Sequence, residues 1–158
     1  CITGLDLVEL MIRVAAGEKL PLTQAEVKRE GWAIECRINA EDPDKNFLPS
    51  PGKIDAYIAP GGIGVRVDSH CYPGYSIPPF YDSLVSKLIV WGRDRPEAIQ
   101  RMLRALDEYA ITGIKTTIPF HQRVLLNDAF QRGDVHTDFI EKYMTPSSQE
   151  AVTPNGRK

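Results

Sequence analysis

Hydrophobic and polar side chains alternate with a period of two along residues 32–40, which predicts a strand with one buried face. The polar positions include Glu35, Arg37 and Asn39. At about 3.4 Å of rise per residue, these three side chains fall within about 14 Å of one another on the opposite face. The strand therefore presents a carboxylate, a guanidinium and an amide together. The apolar positions expected to be buried are Trp32, Ile34, Cys36 and Ile38.

The rest of the pattern predicts one helix, then a run of strands, then further helices. An apolar stripe over residues 4–16 predicts the first helix, with Thr3 as its N-cap and Gly17 as its stop. Asp94 and Pro96 mark the start of a helix that continues to about residue 110. This order is typical of an α+β fold rather than a doubly wound one. The other predicted elements are a weak turn at residues 24–27, strands over residues 53–58, 65–69, 84–91 and 114–116, and helices over residues 117–126 and 138–143.

The length and the distribution of residue types predict one domain with a tail. A chain of 158 residues can bury one core, which we expect within residues 1–144. Residues 145–158 are rich in Ser, Pro and Thr and poor in apolar side chains, so they predict a disordered tail or linker. A helix cap so close to the first residue suggests an excerpt from a longer protein, with residues 1–30 as a connecting helix and linker.

Charge and cysteine content exclude several classes of protein. The net charge is −2 and no basic block occurs, so nucleic acid has no electrostatic footprint here. No apolar run approaches the roughly 20 residues that cross a bilayer. The three cysteines form no CxxC pair, which favours reduced thiols and a cytoplasmic location. We predict no metal site, because the histidines do not cluster with one another or with cysteine; they are His70, His121 and His136.

Three segments carry a resemblance to a known family: GWAIECRINAEDP at residues 31–43, FLPSPGKI at 47–54 and YDSLVSKLI at 81–89. Together they resemble the C-terminal domain of biotin carboxylase, the ATP-dependent component of the carboxylases for acetyl-CoA, pyruvate and propionyl-CoA. The resemblance implies a mainly antiparallel sheet with flanking helices. It covers a part shared by all of these enzymes, so it does not choose between fatty acid biosynthesis and the other pathways.

Arg37 is the candidate catalytic residue. From the residues alone, an exposed strand arginine paired with Glu35 or another neighbour is the simpler interpretation. The resemblance implies instead that Arg37 faces the active site and contacts both bicarbonate and the ureido ring of biotin. Carboxylation of the ureido nitrogen places negative charge on the ureido oxygen, and a fixed cation stabilises that charge. Lysine lacks the planar fork that arginine would use.

Five other positions near Arg37 are candidates for supporting roles. Glu35, Asn39 and Glu41 could orient Arg37, although a solvated strand edge is the simpler interpretation. Asp82 and Lys87 belong to the YDSLVSKLI segment, beside and within a largely apolar strand, and could form a structural ion pair or turn or lie near the biotin-binding edge.

Two further groups follow from the resemblance. Gly61-Gly62 predicts a hairpin turn, and the dimer surface of the family implies contacts at Ile63, Arg66 and Glu108. The resemblance also implies that Thr137 and Asp138 approach ATP, although Thr137 has the alternative role of a helix cap.

The resemblance also implies which parts of the reaction lie elsewhere. ATP and Mg²⁺ would bind mainly to an upstream ATP-grasp region, to which residues 1–30 would connect. Biotin would arrive on a carrier protein or domain, a carboxyltransferase would follow, and the enzyme would be a homodimer. We therefore expect this ligase fragment to be inactive alone. The rival interpretation is a non-catalytic assembly and dimerisation module with Arg37 as a surface residue.

Overall fold

A three-stranded antiparallel sheet lies at the centre of the fold in the computed structural model, which describes residues 1–144. Its strand order is β1 (Trp32–Asn39), β8 (Leu84–Gly92), β6 (Val65–Ser69). The predicted tail lies outside the described residues. β8 is largely apolar because it is the central strand, paired on both sides. The prediction of these three strands and of the α+β class is confirmed.

One face of this sheet packs against helix α2 (Arg95–Glu108) and forms the core. The predicted start of α2 is confirmed, since the Asp94 carboxylate accepts a hydrogen bond of 2.9 Å from the Glu97 amide. Cys36 and Ile38 are buried as the alternation predicted, whereas Trp32 at the strand end is half exposed. The core residues from the two layers include Cys36, Ile38, Leu88, Val90, Ile99, Met102 and Leu106.

The continuous strand predicted over residues 53–58 is wrong, because this segment divides between two partners. β4 (Gly52–Lys53) pairs with β7 (Ser76–Ile77), and β5 (Tyr57–Ile58) pairs with β9 (Ala110–Ile111). Ile54 between them is fully buried. The strand predicted at residues 114–116 is also wrong, since the pairing occurs at β9 instead. A third short ladder joins β2 (Glu41–Asp42) to β3 (Leu48–Pro49).

Three helices complete the C-terminal part of the described chain: α3 (Ile118–Leu126), α4 (Asp128–Arg132) and α5 (Phe139–Tyr143). α3 and α5 confirm the predicted helices, and α4 was not predicted. The capping role suggested for Thr137 is wrong, because Asp138 occupies the N-cap position of α5 and makes no side-chain cap bond. α5 is fixed instead by burial of Phe139, whose ring packs against Phe130.

The first helix, α1 (Leu7–Ala15), is shorter than predicted and is capped by Asp6, not Thr3. Gly4 has a φ of +67°, which is incompatible with a helix start at that residue, whereas Gly17 at +87° confirms the predicted stop. Within residues 1–144 no helix is long and apolar enough to cross a membrane. A single 3₁₀ turn, Gln24–Glu26, follows α1. No residue of α1 is buried, and its exposed apolar side chains include Leu7, Val8, Met11 and Ile12.

Candidate functional site on the outer face of the sheet

Arg37 lies on the face of the sheet that points away from α2. Its guanidinium Nη2 is 3.8 Å from Asp82 Oδ2, and both side chains are more than half exposed. An ion pair this exposed adds little to stability. Asp82 is itself held at the start of β8, because its Oδ1 accepts a hydrogen bond of 2.8 Å from the Leu84 amide. The pair therefore places a carboxylate beside the Arg37 guanidinium without holding it tightly.

A second cation lies directly across from Arg37. The strand register places Arg37 opposite Lys87, and Lys87 in turn opposite Asp68 on β6. Like charges directly opposite each other on a sheet are destabilising, so this pair favours a bound anion. Asp68 is not free to serve as that anion alone, since Arg66 donates two hydrogen bonds of 2.8 Å to its carboxylate. This hydrogen bonding lowers the pKa of Asp68 below its ordinary value.

Neither Glu35 nor Asn39 makes a described hydrogen bond or ion pair with the Arg37 side chain. Glu35 shares the outer face but lies opposite Ile89, and the described ion pair of Arg37 is with Asp82. The strand is irregular between Ile38 and Asn39, where the register shifts. The side-chain nitrogen of Asn39, Nδ2, donates instead to Glu41 Oε1 at 3.1 Å.

Asn39, Glu41 and Ser83 form a polar cluster beside the Arg37–Asp82 pair. The Ser83 hydroxyl donates a hydrogen bond of 2.5 Å to the same Glu41 oxygen that Asn39 contacts. The cluster lies along an open pocket of about 330 Å³, which Asp82 also lines. Asn39 Oδ1 is buried and has no described hydrogen-bond partner. The stiff walls of this pocket include Pro49, Pro51, Pro78 and Pro79.

Two residues that the sequence analysis did not single out as site residues contact the backbone of Arg37 from behind. The Thr117 hydroxyl donates to the Arg37 carbonyl oxygen at 3.1 Å, and His121 Nε2 lies 2.9 Å from the same oxygen. Burial lowers the pKa of His121, so the ring is neutral near pH 7 and Nε2–H is the donor. The available signal was the spacing of four residues, which places Thr117 and His121 on one side of a helix start.

The three predicted dimer residues fall into two places. Ile63 is 92% exposed at a turn, and Arg104 bridges this turn to Glu108 by donating to both the Gly61 carbonyl and the Glu108 carboxylate. Arg66 lies on the outer face of the sheet with Asp68. The turn joins β5 to β6, which belong to different sheets, so the predicted hairpin is wrong.

The two residues predicted to approach ATP make no described hydrogen bond with Arg37. Thr137 and Asp138 are exposed and lie where α5 begins. Within residues 1–144, no group of three or more His, Cys, Asp or Glu side chains could hold a metal ion. Cys36 is not a nucleophile, since burial raises the pKa of its thiol to about 12.

Comparison with known proteins identifies the family. The family model of the biotin carboxylase C-terminal domain matches residues 35–142, which is more than half of the chain. The chain belongs to this family. A pyruvate carboxylase subunit from Methanothermobacter thermautotrophicus is 63% identical over 90% of the chain and 29% of its own length. Biotin carboxylase 1 from Bacillus subtilis is 58% identical over 90% of the chain and 32% of its own length. The chain therefore spans about a third of the length of these relatives.

Solved structures of biotin carboxylase domains share the fold. The biotin carboxylase domain dimer of the 2-oxoglutarate carboxylase from Hydrogenobacter thermophilus, in complex with MgADP, ADP and bicarbonate, matches with a TM-score of 0.88. It is 47% identical, and the match covers 90% of this chain and 32% of that one. The biotin carboxylase subunit of a pyruvate carboxylase matches with the same TM-score at 46% identity. The biotin carboxylase type of α+β fold is thus confirmed.

Proposed function

We propose that this chain forms the C-terminal domain of an ATP-dependent biotin carboxylase, where Arg37 binds bicarbonate and later the ureido group of biotin. Family membership and the solved relative that binds bicarbonate support the proposal. The observation that carries it is local: Arg37 and Lys87 lie side by side on one face, and the Asp82 carboxylate lies 3.8 Å from the guanidinium. Two adjacent cations on rigid strands match a small anion.

The role of Arg37 follows from where charge develops. Bound biotin would supply the ureido nitrogen to be carboxylated, and loss of the proton on that nitrogen would put negative charge on the ureido oxygen. Arg37 is anchored on a strand, so its charge lies on this face before the reaction begins. The loose contact with Asp82 would give way when the substrate binds. Glu35 and Lys87 would adjust the charge of the same face.

The remaining parts of the reaction would lie in a preceding ATP-grasp region. ATP and Mg²⁺ would bind mainly in that region, with Thr137 and Asp138 at its margin. Residues 1–30 would connect to it, and the exposed apolar face of α1 is the surface that it would cover. The isolated chain would then be inactive.

The partners are also part of the proposal. A carrier protein or domain would bring biotin to Arg37, and a carboxyltransferase would use the product. A homodimer would form at the surface around Ile63 and Glu108, with Arg66 nearby in the sequence; the dimeric relative supports this. The cytoplasmic location stays a prediction.

A chimera tests the proposal most directly. This chain would replace the matching part of the Methanothermobacter protein, and carboxylation of free biotin would be measured. Arg37→Gln should lower kcat by about a hundredfold, on the scale of a lost oxyanion donor, and Arg37→Lys should restore it only in part. Arg93→Gln is the matched control, since Arg93 is also exposed and also paired with a carboxylate.

The second candidate function, an assembly module, is favoured by the exposed Ile63 turn. An active chimera whose rate does not respond to Arg37→Gln would leave this candidate and remove the catalytic one.

A further inference from the structure

The edge of β1 is closed by the start of α3 at the residues that carry the site. β1 is an edge strand, so every second residue points its amide and carbonyl away from β8. At Asn39 both groups are satisfied by Thr117: the Asn39 amide donates to the Thr117 hydroxyl at 3.0 Å, and the Thr117 amide donates to the Asn39 carbonyl at 3.1 Å. At Arg37 the carbonyl accepts from both Thr117 and His121.

Thr117 gives up its usual role to make these contacts. It occupies the N-cap position of α3, where a threonine hydroxyl ordinarily accepts from its own helix, but it makes no such bond. Its hydroxyl accepts from Asn39 and donates to Arg37 instead. The residue is 4% exposed, so water does not replace these partners readily. The hydroxyl is therefore committed to β1.

The contacts with Thr117 and His121 lie where the ladder of hydrogen bonds between β1 and β8 is irregular. The register between β1 and β8 shifts at Ile38 and Asn39, so the ladder alone does not fix the backbone next to Arg37. His121 lies one turn after Thr117 and holds the same Arg37 carbonyl with a neutral ring. The backbone of Arg37 is thus held from α3 on the side away from β8.

We propose that Thr117 and His121 are positioning residues for Arg37: their hydrogen bonds to β1 set the place from which the guanidinium reaches its substrate. The kinetic half of this proposal rests on the proposed carboxylase function. The geometric half does not, and the two are tested separately.

Amide hydrogen exchange on this chain tests the geometric half. Thr117→Val removes the hydroxyl but keeps the shape, so the Asn39 amide should exchange about fivefold faster, whereas Thr117→Ser should leave it protected. Thr112→Val is the matched control, because Thr112 makes the same two contacts with Ala56, at 3.0 and 3.1 Å. It should accelerate exchange at Ala56 and leave Asn39 unchanged. Equal protection of Asn39 in Thr117→Val would overturn the proposal.

His121 provides a second variant if Thr117→Val does not fold. His121→Leu should shift the ¹³C resonance of the Arg37 carbonyl, and His121→Gln, which can still donate from a similar place, should return it toward the original value. An unchanged resonance in His121→Leu would count against the contact.

The chimera described above tests the kinetic half. Thr117→Val should lower kcat/KM for biotin about tenfold without changing KM for MgATP, because a small displacement of a positioned group is costly. Thr117→Ser should recover the rate and Thr112→Val should not alter it. If exchange at Asn39 rises but the kinetic constants of an active chimera stay the same, the contacts are structural only and the positioning role is wrong. If the unmutated chimera is inactive, the proposed function fails instead, while the exchange result still decides the geometric half.

Discussion

The ion pairs on the outer face of the sheet leave the Arg37 guanidinium available. Asp82 contacts it at 3.8 Å, a loose distance for an ion pair, while Arg66 occupies Asp68 with two short hydrogen bonds. Lys87 lies between Arg37 and Asp68 in the register. The face is therefore close to balanced in charge, and of its described cations Arg37 and Lys87 are not engaged by short hydrogen bonds to a carboxylate, as Arg66 is.

Cys36 allows a test of the strand at single-residue level. It faces the core, and burial, followed by the charge of Glu35, raises the pKa of its thiol to about 12. A protonated and inaccessible thiol does not react, so native alkylation near pH 8 should label the exposed Cys1 and spare Cys36. Peptide mass spectrometry gives the answer, with the unfolded chain as the control. Labelling of Cys36 as fast as Cys1 would mean that the inner face of β1 is open.

Long elements were predictable because their signals are local. The alternation along β1, the apolar run of β8 and the Asp94 cap of α2 each depend on neighbouring residues. The two-residue strands β4, β5, β7 and β9 were missed or misplaced, since they exist only through pairing with distant segments.

The same division applies to the site. The period of two correctly predicted that Glu35 and Arg37 share a face. It could not predict the register shift at Asn39, whose side chain contacts Glu41 instead of Arg37. The spacing of four residues places Thr117 and His121 together, but their partner Arg37 is 80 and 84 positions away, and no local pattern indicates that partner.

The junction of β1 with α3 should make stability depend on pH. Burial lowers the pKa of His121 below its ordinary 6.5, so the unfolded chain takes up a proton at a pH where the folded chain resists it. The unfolded state therefore binds more protons in this window, and the free energy of unfolding falls as the pH drops below about 6.5. Asp68 and Glu97 have lowered pKa values too, but they act only below 3.8 and 4.5.

Urea unfolding at about pH 7.5 and about pH 5.5 measures this dependence. His121→Gln cannot titrate and should flatten the difference between the two conditions. A slope that is unchanged in His121→Gln would assign the effect to other groups.

At the scale of the whole molecule, the exposed apolar surfaces are consistent with a chain that spans about a third of the length of its relatives. α1 exposes an apolar side, and the Ile63 turn projects apolar surface at another place. A contiguous apolar patch such as that of α1 marks a contact with other protein. We expect it to face the proposed ATP-grasp region, and we expect the Ile63 turn to face another protomer because a solved relative is a dimer.

Ile63 provides the test of the contact between protomers. In the chimera, Ile63→Asp should weaken dimerisation about tenfold or more, because a buried charge replaces a central apolar side chain. Leu126→Asp is the control, at a side chain that is also well exposed. Sedimentation velocity over a range of concentrations reads the result. A dimer that is equally tight with Ile63→Asp would move the interface elsewhere.

The split of residues 52–58 between two partners bears on the order in which the chain acquires its structure. The Ile54 amide donates a backbone hydrogen bond to the Tyr75 carbonyl, and the Ile54 carbonyl accepts one from the Gly74 amide. The amide of the next residue, Asp55, donates to the Thr112 carbonyl. Each of these ladders has only two residue pairs, whereas β1 and β8 pair over eight, so the corner is the weaker unit. We therefore expect the central sheet and α2 to assemble first, and this corner to form late, once residues 110–112 can pair with β5.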